Sequence, residues 1–172
     1  MSGNRALLER APEHLKLIGL IAVHSAHLDR AIWRLLALLT DLDAAAAREL
    51  LPEPTSNLRA DIVINVARRR GLDPEDLAQL NGCLGHIKRC NRRRDELRDS
   101  AYGIGRNGLM RTSASDECDE IVPVTREQLQ RLADDLAACA ADLDRVISSI
   151  RLDAGFQTDS RAGKSSDLAS AT

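Results

Sequence analysis

The stretch from Leu15 to Leu39 constrains the fold more than any other part of the chain. Leu17, Ile18, Ile21, Ser25, Leu28, Ile32, Leu35, Leu36 and Leu39 recur at three- and four-residue spacing, which is one stripe of a helix. Leu20, Val23, Ala31 and Leu38 widen that stripe. A helix so broadly apolar must be covered on several sides, at the centre of a bundle or in a dimer seam. Lys16, His24, His27, Asp29, Arg30 and Arg34 interrupt the stretch, which argues against a membrane span. The helix is predicted from about Glu13 to Thr40, after an N-terminal arm, residues 1–12, that Pro12 stops.

Four more helices follow from spacing and punctuation. Asp43 opens a short Ala-rich helix, Ala44 to Leu51, which the Pro52 and Pro54 pair ends. Thr55 or Ser56 caps a helix from Asn57 to Arg70, with Leu58, Ile62 and Val66 as its expected core face beside Val63 and Gly71 as its terminator. Asp73-Pro74 starts another, which runs through Leu77, Leu80, Leu84, Ile87, Asn91, Arg94 and Arg98 to about Tyr102. Gly82 and Gly85 lie inside it and are read as places of close helix approach. The helical period stops between Gly103 and Pro123, where Gly108–Thr112 and Ile121–Val124 can pair as a hairpin. Thr125 with Gln128 is a capping box for the last helix, which carries Leu129, Leu132, Leu136, Cys139, Leu143, Val146 and Ile150 to about Leu152. Residues 153–172 are rich in Ser, Ala, Gly and Asp and are expected to be a disordered tail. The predicted fold is all-α. It is an up-and-down bundle of four main helices plus a short helix and a small hairpin, in one domain over residues 13–152.

Composition removes several function classes. A net charge of −2 over 172 residues argues against bulk electrostatic coating of nucleic acid, though not against a local basic site. Trp33, Tyr102 and Phe156 are the only aromatic residues, too few for a base-stacking sheet. Nothing at the start reads as an export signal, so a cytoplasmic setting and reduced thiols at Cys83, Cys90, Cys118 and Cys139 are expected. Gly103-Ile104-Gly105-Arg106-Asn107-Gly108 resembles part of a dinucleotide fingerprint but follows no strand and opens no helix; it reads as a flexible turn.

The segment from Lys88 to Arg98 has six basic residues, ending in Arg-Asp-Glu-Leu-Arg-Asp-Ser-Ala-Tyr-Gly. One reading is a solvated face whose cations favour the helix C-terminus. The other is a phosphate-binding site at Arg92, Arg93, Arg94 and Arg98. Asp29 and Arg94 lie on long helices expected to be antiparallel neighbours. They form either a register-setting ion pair or a phosphate contact.

A long first helix, a helix with this ending, a loop and a Thr-capped last helix resemble HEPN-type nucleotide-binding and RNase domains. The usual HEPN signature is Arg-Asn-x-x-x-His followed by an aromatic residue. On it, Arg94 takes the Arg position, Asp95 the Asn position, Asp99 the His position and Tyr102 the aromatic position; Leu28-Asp29 fits the acidic position of the first helix. The resemblance implies an RNA- or partner-binding homodimer, in a defence or toxin–antitoxin setting. It also implies lost cleavage, because an Asp99 carboxylate cannot give the leaving oxygen its proton. The alternative is a homodimeric interaction bundle whose seam is the first helix and Ala133, Ala137, Ala138, Ala140 and Ala141 of the last.

Metal and cofactor are expected to be absent. His24 and His27 share one side of the first helix, and Cys83, His86 and Cys90 share one side of the fourth. An antiparallel pairing with Asp29 opposite Arg94 separates the two groups by about 15–20 Å.

Overall fold

The computed structural model describes residues 11–50, 56–100, 102–105, 108–115 and 118–166. Its elements are α1 (Pro12–Thr40), α2 (Ala44–Leu50), α3 (Ser56–Arg70), α4 (Pro74–Arg98), β1 (Tyr102–Gly105), β2 (Gly108–Ser115), β3 (Cys118–Pro123) and α5 (Arg126–Ser166). The fold is the expected helical bundle with a small sheet before the last helix. Among the described residues, no helix is long and apolar enough to cross a membrane.

Local chemistry sets most boundaries. Pro12 is the first residue of α1, where its missing N–H costs nothing. The Asp73 carboxylate accepts the Glu75 N–H at 2.8 Å, with Pro74 behind it as the first residue of α4. Gly71 ends α3 at φ +74°, open to glycine without strain. The capping box forms: Thr125 N–H donates to Gln128 Oε1 at 3.0 Å, and Gln128 N–H to Thr125 Oγ1 at 3.2 Å.

The helices enclose one core. Leu28, Ile32 and Leu35 of α1, Leu80, Leu84 and Ile87 of α4 and Leu129, Leu132, Leu136 and Leu143 of α5 are fully buried. α3 keeps most of its expected face, with Val63 buried and Ile62 and Val66 packed on the edge of the core, but it is rotated enough that Leu58 is 52% exposed and Ala60 and Ala67 are buried. These smaller side chains let α3 lie close to its neighbours, which outweighs the larger hydrophobicity of Leu58. Gly82 and Gly85 mark no close approach: a Cβ on Gly82 meets nothing within 4 Å, and one on Gly85 meets only Arg89 Nη1 at 3.9 Å.

Cross-helix ion pairs show the order and direction. α3 and α4 are antiparallel, joined by Lys88 and Asp61. α4 and α5 are antiparallel, with Arg93–Asp135 at 2.9 Å and Ser149–Asp76 at 3.2 Å. Those three helices keep the expected up-and-down alternation, and α1 departs from it. α1 is parallel to α3, through Asp29–Arg59 at 3.4 Å and the Asp41–Arg70 pair. It is also parallel to α5, through Arg34–Asp144 at 2.6 Å and Glu13–Arg126 at 3.8 Å. α2, between α1 and α3 in the chain, packs against α1. α1 and α4 both pack on α3 and α5 and stand on opposite corners, not as neighbours.

β1, β2 and β3 form an antiparallel meander. The expected hairpin is present and longer, with Met110 opposite Pro123 and Ser115 opposite Cys118. β1 adds a strand that the sequence reading missed, pairing Tyr102 with Arg111 and Gly105 with Gly108. Tyr102 therefore opens a strand, and α4 ends at Arg98 rather than near Tyr102. Glycines at 103 and 105 disfavour helix, and pairing with β2 satisfies their backbone instead. Leu109, 2% exposed, anchors the sheet on the bundle.

α5 continues to Ser166, beyond the Leu152 at which its apolar spacing ends. The segment 153–166, expected as tail, lies within that helix: no proline interrupts it, and the backbone ladder needs no apolar stripe. Residues 1–10 of the expected arm and 167–172 of the tail are outside the described residues.

Candidate functional site

The last turns of α4 carry the predicted basic site, and most of its charges are already engaged. Arg93 Nη1 donates to Asp135 Oδ2 of α5 at 2.9 Å. Arg94 donates through Nε and Nη2 to Asp95 Oδ1, at 3.1 and 2.7 Å. Arg98 grips the Asp99 carboxylate with two N–H groups, at 2.9 and 3.2 Å. Arg92 is exposed and makes no ion pair with the described residues; Arg89, three residues earlier, is the same. Arg89, Arg92 and Arg93 sit at i, i+3 and i+4 and so share one face of the helix. The sequence reading had left Arg89 out of the site.

A shallow groove flanks this face where α4 meets the sheet and α5, lined by Arg93, Glu96, Leu97, Arg111, Val122 and Gln128. Arg111 of β2 spans it, donating to the Glu96 carbonyl at 3.3 Å and Ser100 Oγ at 3.2 Å. Tyr102 closes the end of α4. Its hydroxyl donates to the Leu97 carbonyl at 2.6 Å, one of the helix's last unpaired acceptors. Burial pushes the Tyr102 phenol up, and the Arg111 cation partly offsets this.

The HEPN-type positions are not brought together as a unit. The expected Asp29–Arg94 pair does not form, because α1 and α4 are diagonal. Asp29 pairs instead with Arg59 of α3, whose guanidinium lies 5.7 Å from the Trp33 ring centroid. That is cation–π distance and ties α3 to α1. No pattern in the sequence marks Arg59, since cation–π partners have no fixed spacing. Asp99 is exposed, and its hydrogen bonds from Arg98 hold its carboxyl below the usual carboxylate range. It is therefore an anion near neutral pH and has no proton to deliver.

A second group lies in the middle of α4. Cys90 and Cys139 are buried against each other across the α4–α5 seam, sulfurs 3.9 Å apart. His86, one turn before Cys90, completes a set of three donor atoms all within 4.8 Å of one another. The Cys139 thiol is pushed up by its hydrogen bond to Cys90 and by burial; the same hydrogen bond lowers Cys90. Cys83 lies farther along α4, its thiol pushed up to about 11 by burial and then by Asp142. His24 and His27 take no part in the cluster. The sequence reading had Cys83, His86 and Cys90 on one face but placed α1 opposite them. The donor that completes the group is Cys139, on α5.

Comparison with protein-family models, with curated proteins and with solved structures found no match.

Proposed function

We propose that this chain is a non-catalytic, HEPN-like helical module that binds RNA in the cytoplasm through the arginine face at the end of α4. The observation that carries this reading is the pair Arg89 and Arg92, exposed and without a carboxylate partner among the described residues, beside Arg93. Two unpaired guanidiniums about one turn apart match adjacent phosphates on a strand. The salt bridges of Arg93 and Arg98 are at the surface, where water and salt screen them, so a phosphate can compete for those side chains too. Asp99, an anion held by Arg98, favours binding over cleavage.

The competing reading, a bundle serving only as an apolar homodimer seam, has a narrower surface to use. The stripe of α1 packs largely on α3 and α5 and Ala133 is buried, while Ala138 and Ala141 stay exposed. Among the described residues, the large exposed apolar side chains are Val23, Leu42, Leu58 and Ile121, on separate segments. A homodimer remains part of the proposal, with its contact at the polar end of α4.

The test is a salt titration of RNA binding by fluorescence anisotropy. Binding is expected at low salt, weakening as salt rises. Arg89→Ala/Arg92→Ala should lower affinity and reduce the log–log salt slope by about 1.4, that is, about 0.7 for each lost contact with a single strand. No binding at low salt, or an unchanged slope in the double variant, refutes the RNA reading. Sedimentation of the same samples reads the dimer, and Asp99→His run alongside reads whether a proton donor there gains cleavage.

A further inference from the structure

We infer that His86, Cys90 and Cys139 form a binding site for a soft divalent cation of the zinc class, built across the α4–α5 seam. The site is distinct from the arginine face and does not depend on RNA binding. Its first support is spacing. The Cys90 and Cys139 sulfurs are 3.9 Å apart. Two thiolates on one tetrahedral zinc, each about 2.3 Å from it, stand about 3.8 Å apart. A disulfide needs about 2.0 Å, so the two sulfurs are not bonded to each other, and their separation is the one a shared zinc would keep.

The second support is the donor set. His86 and Cys90 are one helical turn apart on a single rigid element, and Cys139 comes from the helix facing them. The imidazole nitrogen and the two sulfurs form a triangle with no edge above 4.8 Å. Thiolate and imidazole donors select zinc-like metals over magnesium or calcium.

The third support is charge. Cys90 and Cys139 are 2% and 0% exposed. Two thiolates and a neutral imidazole around a divalent cation carry no net charge, and burial tolerates such a complex far better than a lone ion. On binding, two S–H bonds break, two metal–sulfur bonds form and two protons leave to solvent; no electron changes hands. Cys83 lies seven residues before Cys90, about 10 Å along the helix axis, and is not a ligand. Among the described residues no fourth donor joins the set, so the fourth ligand of a tetrahedral ion would be a water reaching it past His86, which is partly exposed.

The reduced full-length chain is titrated with Co(II) as a spectroscopic stand-in. The expected result is one Co(II) per chain, with sulfur-to-cobalt charge transfer in the near ultraviolet and the intense visible bands of tetrahedral cobalt, both abolished by Zn(II). Cys90→Ala and Cys139→Ala remove the charge transfer; Cys83→Ala and Cys118→Ala leave it unchanged. His86→Ala, at a partly exposed position, weakens cobalt binding about 100-fold or more, since even an outer partner of a ligand is worth about 10–100-fold. The inference is overturned by a folded chain without charge transfer, by its survival in Cys90→Ala/Cys139→Ala, or by unchanged cobalt affinity in His86→Ala. Should a core variant lose its helical circular dichroism, Zn(II) stabilisation of the parent supplies the reading. Tm rises with Zn(II) in the parent and not in His86→Ala, and a parent Tm unmoved by saturating Zn(II) overturns the site.

Discussion

The middle and the end of α4 both carry polar side chains, and they are governed by different physics. Between His86 and Asn91 the inner face of the helix turns polar groups into the protein, while Arg89 points outward: Cys90 meets Cys139, and Asn91 is 1% exposed with neither side-chain polar atom hydrogen-bonded. From Arg92 to Asp99 it turns charges outward, and partners come from the next residue or from across a solvent-exposed seam. At the exposed end water competes for every group, so each pair contributes little and can be exchanged for a ligand. In the middle water is excluded, so a partner, or the lack of one, has large consequences. Specific chemistry therefore concentrates in the middle of the helix and adaptable binding at its end.

The largest test of this contrast is Ile87→Ala. Ile87 is 0% exposed in the middle of α4. Its truncation should cost about 2–5 kcal/mol in urea unfolding. A loss below about 1 kcal/mol would mean that this face of α4 is not core. Asn91→Leu is the converse. Removing an unpaired buried amide for an apolar group of similar size should raise stability by about 1–3 kcal/mol. A destabilised variant would show that Asn91 has a partner after all.

Gly82→Ala should stabilise by about 1 kcal/mol, because its Cβ enters open space and glycine costs a helix interior about that much. A loss would place another surface against this face of α4. Alkaline unfolding examines the junction between the two regimes. The folded Tyr102 pKa is raised, so the folded chain holds that proton more tightly than the unfolded chain. Its contribution is complete below the unfolded tyrosine value and is lost as pH rises through the folded one. Tyr102→Phe should therefore flatten the fall in stability above about pH 10, the ordinary tyrosine value. An unchanged slope would mean that the phenol titrates freely. The smallest effect belongs to Arg98→Ala, whose exposed pair with Asp99 is screened by water, so the urea midpoint should stay almost unchanged. A shift as large as that of Ile87→Ala would mean that the end of α4 is as structural as its middle.

How much of this was legible depended on the range of the interaction. The stripe on α1, the Asp73-Pro74 start, the Gly71 stop and the Thr125–Gln128 box were all readable, because each concerns residues within one or two helical turns. The hairpin was readable in outline from two short strand-forming runs. β1 was not, since Tyr-Gly-Ile-Gly has no strand signal until β2 lies beside it. The turned face of α3 was hidden for a related reason: burial of Ala60 over Leu58 depends on how closely the neighbouring helices approach. At the candidate site, the basic run was visible as composition. That Arg93 is taken by Asp135 while Arg89 and Arg92 make no ion pair among the described residues was not, because Asp135 joins from a distant segment.

Local sequence determined where the helices begin, though not where α4 and α5 end; it also determined which residues are apolar enough to need burial and that His86 and Cys90 share one helix face. Backbone hydrogen bonding and capping act over a few residues, so local order suffices for these. The tertiary structure alone decided which helices are neighbours. It set α1 diagonal to α4, gave Asp29 to Arg59 rather than Arg94, and brought Cys139 to Cys90. Helix packing selects among arrangements that bury similar apolar area, and the alternatives differ in side-chain fit between helices far apart in the chain.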